Sequence, residues 1–479
     1  MSEKMMKKSK GLIAALLGTM MIAALTLWGC GTSSYDNPAD SATTTKTATA
    51  LIDAATLQTW ITEGKVNAPL GSYDRVVILD VTANAADGSN KYNTVGHIPG
   101  AYLIPEGNAY FQAVRAEGPL STTGALVCTG ATMDTLIQNA GIDKNTTIVV
   151  TTNGSFVDLT RTYATFRYWG FPKNRIKVLN GGNPAWPAAD LTTKTPSIVK
   201  STYGVAQNGT TTVNTDMRTS LVEMIAYVKE FVAGNPNKVT FVDTVRGTAG
   251  VVDATVTATT DLIAPSGVKD PVAPATAPVG VAASYTPFDG AVKGSYSYHA
   301  TRMVTGLTFD SATTILEELS AAFGTDGVTP LGYANRDATK TFVSFCRAGN
   351  YASVGYFALD GIAYYNSNVD VKWYDGSLGQ FNLMASSDPA NPTRGGKLAV
   401  GSIWDTTSLL DNLTWNATRL PALTSAGYPT SKIVDYATRV YGVEPSFAEG
   451  NQLETADKAY RSTVIGTSGG SASGGGGGC

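Results

Sequence analysis

The chain has 479 residues, 43% of them hydrophobic and only 15% charged, with a formal charge of −3, enough for two or three domains of ordinary size. Setting aside residues 1–29, which carry four lysines and one glutamate, leaves −6 and no basic stripe, so nucleic acid is not an expected partner. Four cysteines are too few for a disulfide scaffold, and two distant histidines without paired cysteine spacing make no metal site, so neither a metal nor another cofactor is expected.

In chain order, Lys4, Lys7, Lys8 and Lys10 form a basic segment ahead of the apolar run Gly11 to Leu27, too short and too sharply ended to read as a membrane span. The run closes on Leu27-Trp28-Gly29-Cys30, which resembles the lipobox of bacterial lipoproteins. That resemblance implies a signal peptide over 1–29, a lipidated Cys30 and a flexible tether over 30–50. It places the protein in the cell envelope. The absence of an acidic residue at position 31 points to the outer membrane, periplasmic or surface-facing. A plain secretory signal with an incidental cysteine is the other reading.

Arg75–Val81, Thr146–Thr151 and Arg175–Asn180 are short β-branched runs, and Leu159–Gly170 reads as a helix between the last two. Strands alternating with helices predict parallel βαβ units and an α/β fold. The pattern then repeats. Asp216–Val232 reads as a helix with apolar residues at helical spacing, followed by strands at Lys238–Asp243, Thr341–Phe345 and Val369–Tyr374. Thr248 to Thr286 is an Ala/Val/Thr/Pro-rich insertion.

The most informative stretch is Thr341–Ser353. A strand ends at Cys346, a loop of arginine, alanine and glycine follows, and a helix is expected over Ala352–Leu359. Loop amides and the helix dipole would gather into an anion-binding bowl, with Cys346 at its rim biased toward thiolate. Cys128 is the only other cysteine in the folded part; a disulfide between the two would silence Cys346.

These residues carry a resemblance. Gly96-His-Ile-Pro-Gly-Ala101 and Leu179-Asn-Gly-Gly-Asn-Pro-Ala-Trp186 in the first half, and Cys346-Arg-Ala-Gly-Asn-Tyr351 with Tyr374-Asp-Gly-Ser377 in the second, resemble the motifs of rhodanese domains. The whole resembles a tandem-domain, thiosulfate sulfurtransferase-like lipoprotein. The loop Thr151–Asp158 has no cysteine, as in the non-catalytic first domain of such tandem proteins. Gly294-Ser-Tyr-Ser-Tyr-His-Ala300 reads as a degenerate copy of residues 96–101, with His299 in a packing role, and His97 reads as architectural. The organisation implied is a first domain over 51–200, a second over 210–385 with an insertion at about 248–286, an extension over 386–460, and a Gly/Ser-rich tail over 461–479 ending in Cys479.

What the resemblance implies is sulfur transfer through a Cys346 persulfide. Arg347, Ala348, Gly349, Asn350 and Tyr351 would bind a small anionic sulfur donor, thiosulfate or a relative, and a thiol or protein would accept the sulfur. A second reading is a non-catalytic, or selenium- or tellurium-oxyanion-handling, component of a surface redox assembly for extracellular electron transfer. Cys479 reads as an attachment signal, a disulfide handle for a redox protein partner, or a sulfur-collecting thiol.

Overall fold

The strands form because β-branched and aromatic residues run without interruption and are covered on both faces, as a parallel sheet requires. The computed structural model describes residues 42–205, 213–234, 238–246, 288–388, 391–395, 398, 401–415 and 444–468. The expected signal segment, Cys30, most of the expected tether, the 248–286 stretch and Cys479 lie outside the described residues. Of the unit Met1–Lys46, the described part is one 3-10 turn, Thr43–Thr45.

The first half runs β1 (Leu51–Ile52), α1 (Ala54–Thr62), β2 (Val76–Asp80), β3 (Tyr102–Leu103), the hairpin β4 (Gln112–Glu117) and β5 (Leu120–Val127), α2 (Gly130–Asn139), β6 (Thr147–Thr151), α3 (Phe156–Tyr168) and β7 (Ile176–Leu179). The second half runs α4 (Leu221–Val232), β8 (Val239–Asp243), β9 (Phe288–Val292), β10 (Ser295–Ser297), the hairpin β11 (Val304–Thr305) and β12 (Thr308–Phe309), α5 (Ala312–Ser320), α6 (Gly332–Ala338), β13 (Thr341–Phe345), α7 (Asn350–Tyr356), β14 (Asp370–Trp373) and α8 (Ser377–Phe381). The chain continues through the hairpin β15 (Ser387–Asp388) and β16 (Asn391–Gly395), then β17 (Leu410–Trp415) and α9 (Gln452–Ser468).

Two parallel sheets result. Their orders are β1-β7-β6-β2-β3 and β10-β8-β13-β14. Read from opposite ends, β7-β6-β2-β3 and β14-β13-β8-β10 are the same arrangement, so the expected α/β architecture and its internal repetition are both present. The place of β1 is taken in the second half by a single parallel bridge from Arg218 to Trp373.

The register corrects one expectation. Asp80 pairs with Leu103 and Asp243 with Ser297. Superposing these strands sets Gly100 on Gly294, both with positive φ, +86° and +74°. The counterpart of residues 96–101 is therefore Gly290–Ser295, not Gly294–Ala300. His299 falls beyond the end of β10, at the carboxyl edge of the sheet, where parallel α/β folds place their sites. The glycine that makes the turn, not the histidine, is the residue the two halves share.

Helix boundaries follow their caps. α4 begins at Leu221 rather than Asp216 because Ser220 and Glu223 close a capping box, and Thr215–Met217 forms a separate 3-10 turn. α3 begins at Phe156 on a capping box of Ser155 and Asp158. α9 extends helix over residues expected to be tail, as far as Ser468. The described residues from Thr47 onward form one compact unit. A single apolar cluster joins Val77, Leu136 and Phe166 of the first half to Tyr298, Phe342 and Tyr356 of the second.

Candidate active site

β13 lies between β8 and β14 and delivers Cys346 at its carboxyl end. The turn after it reaches Gly349, whose φ is +82° and whose missing Cβ would come within 2.3 Å of the Asp375 carbonyl oxygen; no larger residue fits. α7 starts at Asn350 and continues as a π-helix over Phe357–Ala363.

Cys346 is not at a rim. It is 2% exposed and unbridged. Its side chain packs in the apolar cluster shared by the two halves, and its loop is held by Ser377, whose hydroxyl oxygen accepts the N–H groups of Cys346 and Gly349, both at 3.1 Å. The hydroxyl proton has two acceptors, Tyr374 O at 2.7 Å and Cys346 Sγ at 3.9 Å. The carbonyls of Cys346 and Arg347 accept the N–H groups of Leu378 and Gly379 at 3.1 and 2.8 Å. Four hydrogen bonds thus staple the loop to the start of α8, and the Gly349 amide, one of those expected to face an anion, faces a serine hydroxyl. Ser377 itself holds φ +51°, a conformation that costs a non-glycine residue about 1–2 kcal/mol.

A cation arrives from the other half. Arg161, in the middle of α3, is fully buried. One guanidinium nitrogen donates to Ala125 O and another lies 3.5 Å from Asn350 Oδ1. Its guanidinium carbon sits 4.5 Å over the Trp373 ring, and Nε has no hydrogen-bond partner among the described residues. Burial pulls its pKa down to about 10, against the attraction of Asp375, Cys128 and Cys346, so it remains a cation at neutral pH. Behind it, Arg218 is ringed by Glu117 and Asp375, each at 2.8 Å, and Glu454 at 3.3 Å, all buried. Asp375 also accepts the Val127 N–H at 2.8 Å.

Of the other residues anticipated in the loop, Gly349 is buried, and Arg347, Ala348, Asn350 and Tyr351 are half-buried. Asn350 Oδ1 accepts from Gln112 Nε2 of the first half at 3.3 Å. The Tyr351 ring lies 5.8 Å from Phe156 and 5.6 Å from His299. Cys128 is buried and free, its thiol pushed up to about 12 by burial. His97 is buried, stacked on Tyr92 at 3.4 Å, with Nδ1 2.9 Å from Tyr92 O. The first half's own loop is filled by a carboxylate. Asp158 accepts the N–H groups of Ser155 and Asn108 at 2.8 and 2.9 Å.

Sequence reasoning missed Arg161. Every residue of α3 from Val157 to Phe166 is buried, and that burial is a consequence of tertiary packing, which the spacing of residues along the chain does not encode.

A Rhodanese-like domain family model matches residues 62–189. No curated protein matches. Among solved structures, the chain is similar to SseA from Escherichia coli, a 3-mercaptopyruvate sulfotransferase with the rhodanese fold (16% identity, 69% of this chain and 99% of that one, TM-score 0.44). It is similar to Tum1 from Saccharomyces cerevisiae (17%, 69% and 93%, 0.44) and to the anaerobic ergothioneine biosynthesis enzyme from Chlorobium limicola (15%, 73% and 70%, 0.45). The matched span runs from the end of α1 past β7.

Proposed function

We propose that this chain is a sulfurtransferase of the cell envelope, anchored through a lipid on Cys30, that carries sulfane sulfur as a persulfide on Cys346. The observation that carries the reading is a strand-end cysteine whose loop lies against a wholly buried guanidinium supplied by the opposite half, Arg161 reaching to 3.5 Å from Asn350 Oδ1. A buried cation beside the loop stabilises the negative charge of an anionic donor.

With thiosulfate, the Cys346 thiolate attacks the outer sulfur. The bond between the two sulfurs of the donor breaks, its electron pair leaves on sulfite, and the new S–S bond stays on the enzyme. Arg161 opposes the charge at the sulfur, while Arg347, Ala348, Gly349, Asn350 and Tyr351 line the approach and hold the donor. An acceptor nucleophile then takes the outer sulfur and restores the thiolate.

The test is mass spectrometry after incubation with thiosulfate, paired with cyanide-dependent thiocyanate formation. One added sulfur on the Cys346 peptide, and thiocyanate formation lost in Cys346→Ser, are expected. The second reading, a non-catalytic component of a surface redox assembly, is favoured by the 2% exposure of Cys346 and by the serine hydroxyl on its amides. It wins if wild type and Cys346→Ser are equally inactive and no sulfur is gained.

A further inference from the structure

A cavity of about 870 Å³ is lined by α5 and by the segment that leads from it into the start of α6, a size that holds small organic ligands. No residue of the Cys346 loop lines it. Phe323, Pro330 and the exposed Tyr333 give it apolar walls. Gly332 lines it too, and a Cβ built there would meet nothing within 4 Å.

A polar pair stands in the wall. Arg302 Nε lies 3.5 Å from Glu318 Oε2, yet neither atom has a hydrogen-bond partner among the described residues. The two side chains are only 11% and 10% exposed. Tyr298 lies behind them, its ring 5.5 Å from the Arg302 guanidinium carbon. The neighbouring hydroxyls are spent within the protein, Thr314 on Ser311 at 2.9 Å and Ser320 on Leu316 O at 2.8 Å. Burial raises the Glu318 carboxyl above its ordinary range, against the pull of Arg302, as expected of a carboxylate short of donors. Buried polar atoms are normally hydrogen-bonded. Here an N–H and a carboxylate oxygen stand side by side unsatisfied, and their charges sum to zero.

That pairing selects a ligand. An oxygen placed between the two atoms can accept from Arg302 and donate to Glu318, which a hydroxyl does with one atom. A carboxylate head would face Glu318 and an ammonium head would face Arg302, so either charge is penalised. The rings of Phe323 and Tyr333 favour an aromatic body. We propose that this cavity is a binding site for an uncharged phenol, its hydroxyl bridging Arg302 and Glu318 and its ring against the apolar walls. The site stands apart from the chemistry of Cys346 and does not depend on it.

The experiment titrates the full chain at pH 7 with 4-methylphenol, toluene, 4-methylbenzoate and 4-methylbenzylamine, reading affinities by ligand-observed NMR. The phenol is expected to bind roughly tenfold more tightly than toluene, the scale of one hydrogen bond to a charged group, and more tightly than either ion. Glu318→Gln leaves Arg302 unopposed, so 4-methylbenzoate should overtake the phenol. The order of affinities within one preparation does not depend on its folded fraction. Ala321→Trp, which places a large side chain on the cavity wall from an exposed position, should abolish binding of every probe while the circular dichroism spectrum stays that of wild type. A wild type that does not bind the phenol, or binds it no better than toluene, overturns the site. So does an order of probes that Glu318→Gln leaves unchanged, or binding that survives Ala321→Trp.

Discussion

Arg161 shows how much depends on one side chain here. It is buried, its Nε has no hydrogen-bond partner among the described residues, and it reaches from the neighbouring half to 3.5 Å from Asn350 Oδ1 in the Cys346 loop. Arg161→Met keeps much of the volume and removes the cation, and Asp375 retains Arg218 at 2.8 Å as its counter-ion, so the fold should persist. The expected result is a loss of roughly 10²-fold in sulfite release from thiosulfate, the scale of removing one preorganised electrostatic contact. A variant as fast as wild type would separate Arg161 from the chemistry. Ser377 acts on structure instead. Ser377→Ala strips the acceptor from the N–H groups of Cys346 and Gly349, and two amides left unpaired in a buried loop should lower stability by about 1–3 kcal/mol in urea denaturation.

Among the elements, α9 is fastened mainly by polar groups. Arg115 grips Asp457 at 2.7 Å, Tyr168 donates to the same carboxylate at 2.8 Å, Tyr460 donates to Asp134 at 2.7 Å, and Glu454 reaches Arg218. Burial raises the Glu454 carboxyl from 4.5 to about 7, aided by Glu223 and Glu117 and opposed by Arg218. A folded-state pKa raised above its unfolded value means that the native state binds the extra proton. This contribution to stability is therefore complete below pH 4.5 and is lost as pH rises to about 7. Glu454→Gln should make the protein more stable than wild type at pH 8, where the carboxylate is charged, and bring no gain at pH 5. Melting temperatures at the two pH values check it, and an equal shift at both would refute the linkage. α3 is the other decisive element. The spacing of its residues reads as a helix, but its burial on all sides belongs to the packing of the two halves, with Thr160 Oγ1 2.9 Å from Ser353 Oγ of α7.

At the level of the whole molecule, the halves are locked through Asp360, which accepts from Tyr163 at 2.7 Å and Tyr356 at 3.2 Å and pairs with Arg167 at 3.4 Å and Lys173 at 3.8 Å. Three of these partners come from the first half and the carboxylate from the second. Calorimetry should therefore show one unfolding peak rather than two, and Asp360→Asn should move that whole peak downward; two resolved peaks would mean that the halves unfold independently. The α/β class, the repeated order of strands and the loop bearing Cys346 are legible in the chain alone, because strand composition, capping residues and turn glycines are local properties. The enclosure of Cys346, the hold of Ser377 on the Cys346 and Gly349 amides, the crossing of Arg161 from the other half and the contact of His299 with Tyr351 come from packing in three dimensions. These are meetings between residues distant in the chain. What brings them together is strand register and the burial of α3, neither of which periodicity along the sequence encodes.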